Sequence, residues 1–209
     1  MQGIHPAHVT GVIFCGGKSQ RMGRDKALLE LSGESLLQRV ARTLEPHVSQ
    51  VVLSTGSSVR YSTLGLDCWL DLEEGLGPIG GLQAALTSSE TPWILAAACD
   101  LPGLNSQGVN ALLSAVRSGD LAVLFGSAGQ PEPLFALYHR DLLPRVESAI
   151  RSGQRRMISA LGLEESDPAP VRWVNLEADV RSKMLFNVNH PEDWCAFQGN
   201  RSQAHPTDL

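Results

Sequence analysis

The 209 residues are enough for one well-buried domain and short for two. Hydrophobic residues at 43% and charged residues at 19% exclude a disordered chain. A net charge of −5 excludes a broad electrostatic footprint for DNA or RNA, and no apolar run approaches the roughly 20 residues that span a bilayer.

Residues 1–8 lack the basic stretch and apolar core of a signal peptide and are expected to form a flexible N-terminus. Val9–Phe14 is a short apolar run leading to Gly16-Gly17, the pattern of a buried strand that feeds a glycine loop. Ser35 and Gln38 have capping-box spacing, and Leu36, Leu37, Val40, Ala41 and Leu44 share one helical face. Val51–Leu53 and Cys68–Leu70 are the next expected strands, the second ending at Asp71. A helix is expected over Gly80–Leu86, after a Gly/Pro-rich loop. Trp93–Cys99 is nearly all apolar, which suits a central strand buried on both faces. It stops at Asp100, and Pro102 opposes continuation. Val109–Val116 reads as helix and Leu121–Phe125 as strand. Beyond these come a strand at Leu134–Tyr138, a helix at Asp141–Ile150, an edge strand at Val171–Asn175 and a short helix from Pro191. Residues 198–209 are polar and expected to be a flexible tail, leaving one domain over 9–197.

The β-loop-α order up to residue 125 predicts an α/β fold: a single-domain, Rossmann-like, open and mostly parallel sheet. Ligands in such sheets bind outside the carboxyl ends of the strands. Gly16-Gly17, Asp71 and Asp100 occupy such positions.

The segment from Gly16 to Lys26 is the strongest chemical signal. Adjacent glycines let backbone N–H groups turn toward an anion. Lys18, Arg21, Arg24 and Lys26 against Asp25 leave a local charge of +3 in an acidic chain, which suits a triphosphate. The segment is neither a Walker A loop nor G-x-G-x-x-G. Arg151, Arg155 and Arg156 form a second cationic cluster, for which a solvated helix end is the alternative. Asn187 and Asn189 alternate, so an extended backbone would send both to one face; helix capping before Pro191 is the alternative. Cys15, Cys68, Cys99 and Cys195 lie far apart without C-x-x-C spacing. Reduced thiols in a cytoplasmic protein are expected, with Cys15 and Cys99 acting as small buried hydrophobes.

The basic loop resembles the L-x-G-G-x-S-x-R-M-G-x-D-K signature of molybdenum cofactor nucleotidyltransferases. The likeness continues through Gly77-Pro78-Ile79-Gly80-Gly81, Cys99-Asp100-Leu101-Pro102, Gly153-Gln154-Arg155-Arg156 and Phe186-Asn187-Val188-Asn189-His190-Pro191. Within that family the chain is most similar to the guanylyltransferases, with the sheet type of nucleotide-diphospho-sugar transferases. The resemblance implies GMP transfer from GTP to the phosphate of molybdenum-molybdopterin, with Mg²⁺ as cofactor. It implies that Phe14, Cys15, Gly16 and Gly17 approach the nucleoside through backbone atoms. Asp71, Gly77 and Gly81 complete that pocket, and Arg21 and Lys26 hold phosphates. Asp100 ligates the metal, while Arg155, Arg156, Asn187 and Asn189 line the acceptor side. Cofactor-delivery proteins or molybdoenzyme chaperones are implied partners, with no nucleic acid and no membrane.

Two departures from the pattern bear on the base: Phe14-Cys15 stands where Leu-Ala is usual, and Ser54 where Asn is frequent. A cytidylyltransferase acting on the same cofactor and a non-catalytic nucleotide- or cofactor-delivery module are the competing readings.

Overall fold

Alternation along the apolar strands decides the architecture. In this computed structural model, residues 3–16, 25–126, 130–163 and 170–203 are described. In chain order they form β1 (Val9–Phe14), β2 (Glu30–Leu31), β3 (Glu34–Ser35), α1 (Leu36–Leu44), β4 (Gln50–Ser54), β5 (Asp67–Trp69), α2 (Pro78–Ser88), β6 (Trp93–Ala98), α3 (Ser106–Ala115), β7 (Ala122–Phe125), β8 (Glu132–His139), α4 (Leu143–Arg151), α5 (Met157–Ala160), β9 (Val171–Val174), α6 (Ala178–Met184) and α7 (Pro191–Gln203). Seven strands make one sheet in the order β5-β4-β1-β6-β8-β7-β9. β1 runs parallel to both β4 and β6, whereas β8 is antiparallel to β6 and β7.

Side chains of the central strands alternate between two cores. Val9, Ile13, Leu95, Ala97, Phe135 and Leu137 face α1 and α3. Val12, Phe14, Ile94, Ala96, Ala136 and Tyr138 face α2, α4 and α5. The sheet is therefore sandwiched between helices, as its nearly continuous apolar strands require. The capping box of α1 forms in full, and Leu36, Leu37, Val40, Ala41 and Leu44 are all buried.

Several elements differ from expectation. α2 begins at Pro78 rather than Gly80, because proline fits a helix's first turn and Gly77 precedes it. Residues 30–35 form a tight hairpin whose turn residues, Ser32 and Gly33, both have positive φ. With only two residues per strand, this hairpin offers no period to detect. α6 was also unexpected; its sequence, ADVRSKM, is mostly polar. β8 is longer than Leu134–Tyr138. α7 continues to Gln203, past residue 198. At the other end, Ile4 N–H donates to the Leu113 carbonyl at 3.1 Å, and Pro6–His8 form a 3₁₀ turn.

A small third core matters for the site. Leu29, Leu31, Leu36 and Val188 pack with Phe186, Trp194 and Phe197. This contact brings the C-terminal segment against the hairpin that follows Lys26. Among the described residues, no helix is long and apolar enough to cross a membrane.

Candidate active site

Two adjoining regions lie at the carboxyl rim of the parallel strands. One is a cavity of about 510 Å³ lined by Phe14, Gly16, Ser54, Arg60, Asp71 and Gly77, among others. Two of its lining side chains, Phe14 and Ser54, pack closely against a glycine. A Cβ on Gly81 would stand 2.4 Å from Ser54 Oγ and 2.8 Å from the Phe14 ring. Gly77 has φ +69° and ψ −151°, a combination that side chains do not tolerate, and it turns the chain into α2. Asp71 stands in the cavity wall with Oδ1 buried and without a partner among the described residues. Burial pushes its carboxyl above the ordinary value.

Phe14 lines the cavity, while parts of the Phe14 and Cys15 backbone are bonded within the fold. The Phe14 carbonyl accepts from Cys99 N–H at 3.2 Å, and Cys15 N–H donates to Ser54 O at 2.9 Å. These backbone groups are engaged by the fold, and the Phe14 ring packs against Gly81. The Cys15 thiol is buried against Ile13 O and Ser54 O, and burial pushes it up to about 12. Cys99 is likewise pushed up by burial. All four cysteines are free, and the buried thiols are held in the unreactive protonated form.

The second region is a polar cluster drawn from three distant segments. Lys26 Nζ lies 3.5 Å from Asp100 Oδ2 and donates to Asn189 Oδ1 at 2.8 Å. The Lys26 and Asp100 side chains are only 17% and 20% exposed. Burial raises the Asp100 carboxyl, while the neighbouring Lys26 partly offsets the effect. Asp100 sits just past β6, and its carbonyl accepts from Val188 N–H at 3.1 Å, which fixes the C-terminal segment beside it.

Asn187 and Asn189 have separate tasks. Asn187 donates to Leu185 O at 3.2 Å, a local turn contact, whereas Asn189 meets Lys26. Asn189 does not cap α7 with its side chain. Asp193 does the reverse, accepting from the backbone N–H groups of Asn189 and His190 at 2.8 and 2.7 Å. That leaves the Asn189 amide free for Lys26.

Arg155 and Arg156 are exposed between α4 and α5, and among the described residues no hydrogen bond or ion pair joins either to the Lys26 cluster. Arg151 ends α4 and pairs with Glu147 at 3.8 Å, the solvated helix-end arrangement. Gly17 and Arg21, with Lys18 and Arg24, lie outside the described residues.

Sequence reasoning missed three contributors. Glu132 opens β8, close enough to Asp100 to feel its charge. Burial raises its carboxyl, and the charge of Asp100 adds to the effect. Because β8 is antiparallel, its first residue reaches the rim where the parallel strands end, so strand direction was the missing information. Arg60 and Tyr61 both contact Asp25 from a loop without a recognisable motif.

Comparison with known proteins shows the family. Residues 11–166 match the MobA-like NTP transferase domain. A protein of Deinococcus radiodurans named "Probable molybdenum cofactor guanylyltransferase" is 33% identical, over 94% of this chain and 97% of its own. The molybdenum cofactor guanylyltransferase of Yersinia pestis is 32% identical, over 93% and 97%. The crystal structure of molybdopterin-guanine dinucleotide biosynthesis protein A from Archaeoglobus fulgidus superposes with a TM-score of 0.76 at 24% identity, covering 93% of this chain and all of that one.

Proposed function

Since the chain belongs to the family of MobA-like NTP transferases, we propose that it transfers GMP from GTP to the terminal phosphate of molybdenum-molybdopterin. The products are the guanine dinucleotide cofactor and pyrophosphate. The observation that carries this reading is the meeting of Lys26, Asp100 and Asn189 beside a cavity with Asp71 in its wall.

A carboxylate in a base pocket selects for adjacent donors. Guanine offers N1–H and the N2 amino group side by side, donors that the Asp71 carboxylate in the cavity wall can accept. Cytosine offers one amino group next to an acceptor nitrogen, which a carboxylate repels. This chemistry favours GTP over CTP.

In the transfer, a phosphate oxygen of the acceptor attacks the α-phosphorus as the bond to the β-phosphate bridging oxygen breaks. No protein nucleophile is needed. Lys26 is held where its ammonium can donate to phosphate oxygens that gain charge, and such electrostatic positioning dominates phosphoryl-type transfer. Asn189 bridges from the lysine toward the acceptor side, where Asn187, Arg155 and Arg156 are assigned by resemblance.

The donor set fits magnesium. Among the described residues no three His, Cys, Asp or Glu side chains converge into a protein cage. Mg²⁺ commonly takes one or two carboxylates and completes its shell with phosphate oxygens and water. Asp100 would hold it, with the Glu132 carboxylate nearby. When bound, the ion neutralises the triphosphate and eases departure of pyrophosphate.

The test is turnover with Mg²⁺ and molybdenum-loaded molybdopterin, supplied with GTP or CTP in parallel, with dinucleotide and pyrophosphate both quantified. GTP should give stoichiometric products. Equal or faster turnover with CTP would remove the guanine assignment.

A further inference from the structure

One carboxylate gathers an unusual number of contacts. Asp25 precedes the 3₁₀ turn Lys26–Leu28 and caps it, its Oδ1 accepting from Ala27 N–H at 3.1 Å. Arg60 Nη2 forms an ion pair with Asp25 Oδ2, and the Tyr61 hydroxyl donates to the same oxygen at 2.8 Å. Arg60 Nη1 also reaches the Cys15 carbonyl at 3.4 Å. A single guanidinium thus touches residue 15 and residue 25, the two flanks of the basic glycine segment. Its Cζ lies 4.8 Å from the Tyr61 ring centroid.

Tyr61 has φ +59° and ψ +31°. A bulky residue seldom adopts this left-handed conformation unless the surroundings enforce it. Here it lets neighbouring residues 60 and 61 close on the same carboxylate.

We propose that Arg60 and Tyr61 are positioning residues for Lys26. They fix Asp25, and Asp25 fixes the turn from which the lysine reaches Asp100 and Asn189. The inference deepens the transferase reading and rests on it for its kinetic consequence. A displacement of about 1 Å in a charge-stabilising group is enough to cost on the order of 100-fold in rate. Arg60 also lines the nucleotide cavity, so the experiment must separate positioning from direct contact with the nucleotide.

Wild type, Arg60→Met, Arg60→Lys, Asp25→Asn, Tyr61→Phe and the Arg60→Met/Asp25→Asn double variant are compared. The measurements are kcat for pyrophosphate release, calorimetric Kd for GTP, melting temperature, and the acylation rate of Lys26 read by mass spectrometry, with Lys183 as internal control. Arg60→Met and Asp25→Asn should each lower kcat about 10- to 100-fold while changing Kd less than about 3-fold. The double variant should be no worse than the poorer single one. Tyr61→Phe should act in the same direction, more weakly, and Arg60→Lys should recover part of the loss. Lys26 should acylate several-fold faster in Arg60→Met, with Lys183 unchanged.

Additive losses in the double variant, or a weaker Kd in Arg60→Met that Asp25→Asn does not share, would overturn the proposal in favour of a direct nucleotide contact. Melting temperature falling in proportion to activity, or unchanged Lys26 acylation, would overturn it too. A wild-type protein without turnover would count against the transferase reading alone, because acylation judges the positioning independently of catalysis.

Discussion

The two halves of the site are prepared for ligand in opposite ways. The cavity proposed for the nucleoside has Phe14, Ser54 and Asp71 in its wall, with Asp71 Oδ1 buried and without a partner among the described residues. The neighbouring cluster is already neutralised internally, since Lys26 lies against both Asp100 and Asn189. On the proposed reading the first half receives the base without breaking a described contact of Asp71, whereas the second must exchange partners. Affinity for the base should therefore depend on the cavity, and the rate of transfer on the cluster, where charge develops.

The largest expected effect tests the cluster. Asp100→Ala should lower Mg²⁺-dependent pyrophosphate release by about 100- to 1000-fold, in the range found for removal of a charge-stabilising group. Its circular dichroism spectrum should be unchanged and its affinity for GTP without metal nearly preserved. A loss of metal-free GTP affinity matching the loss of rate would show that the two halves are not separable.

Asp71→Asn tests the cavity. A hydrogen bond to a charged group contributes about 1.5–3 kcal/mol, so GTP should bind about 10- to 100-fold more weakly, with kcat at saturation much less affected. The pH dependence has a definite sign. Burial raises the folded pKa of Asp71 above its ordinary value. Its contribution to stability is therefore fully present below the unfolded value and lost as pH rises through the folded one. The neutral Asn variant should accordingly melt no lower than wild type at pH 7 without ligand. Binding runs the other way if Asp71 accepts from guanine as proposed, because that contact needs the ionised carboxylate. Wild-type affinity should fall as pH drops through the folded pKa, and calorimetry on the variant should show that dependence flattened.

Gly81→Ala sharpens the same contrast sterically. The added methyl would collide with Ser54 Oγ and the Phe14 ring. Overpacking of this kind costs about 1–3 kcal/mol, measurable by urea unfolding. The KM for GTP should rise while Lys26-dependent chemistry at saturation persists.

The core of the fold was legible because period and burial coincide. Val9–Phe14 and Trp93–Ala98 are apolar throughout and lie in the middle of the sheet. Ser35 and Gln38 announced a helix start that formed atom for atom. Lys26, Asp100 and Asn189 were named as site residues, but their direct contact was not foreseeable. It requires the third core, in which Val188 docks beside Leu29 and Leu36 across about 150 residues of chain. Glu132 and Arg60 were invisible for a related reason. The first reaches the rim through an antiparallel strand direction, and the second through a loop held by a left-handed Tyr61. Neither leaves a periodic trace in one sequence.

The smallest expected effect separates scaffold from site. Ser35 Oγ accepts from Gln38 N–H at 3.2 Å, and Gln38 Oε1 accepts from Ser35 N–H at 3.0 Å. Ser35→Ala removes the first contact and should cost about 1 kcal/mol, which for a protein of this size lowers the melting temperature by about 2–4 °C. Leu36, the next residue, donates its N–H to Leu29 O at 2.9 Å, close to the turn that bears Lys26. If α1 serves only as scaffold, kcat and KM well below the melting transition should match wild type. A fall in kcat there, without unfolding, would mean that helix capping reaches Lys26 through Leu29 and that the boundary between support and catalysis lies further from the rim.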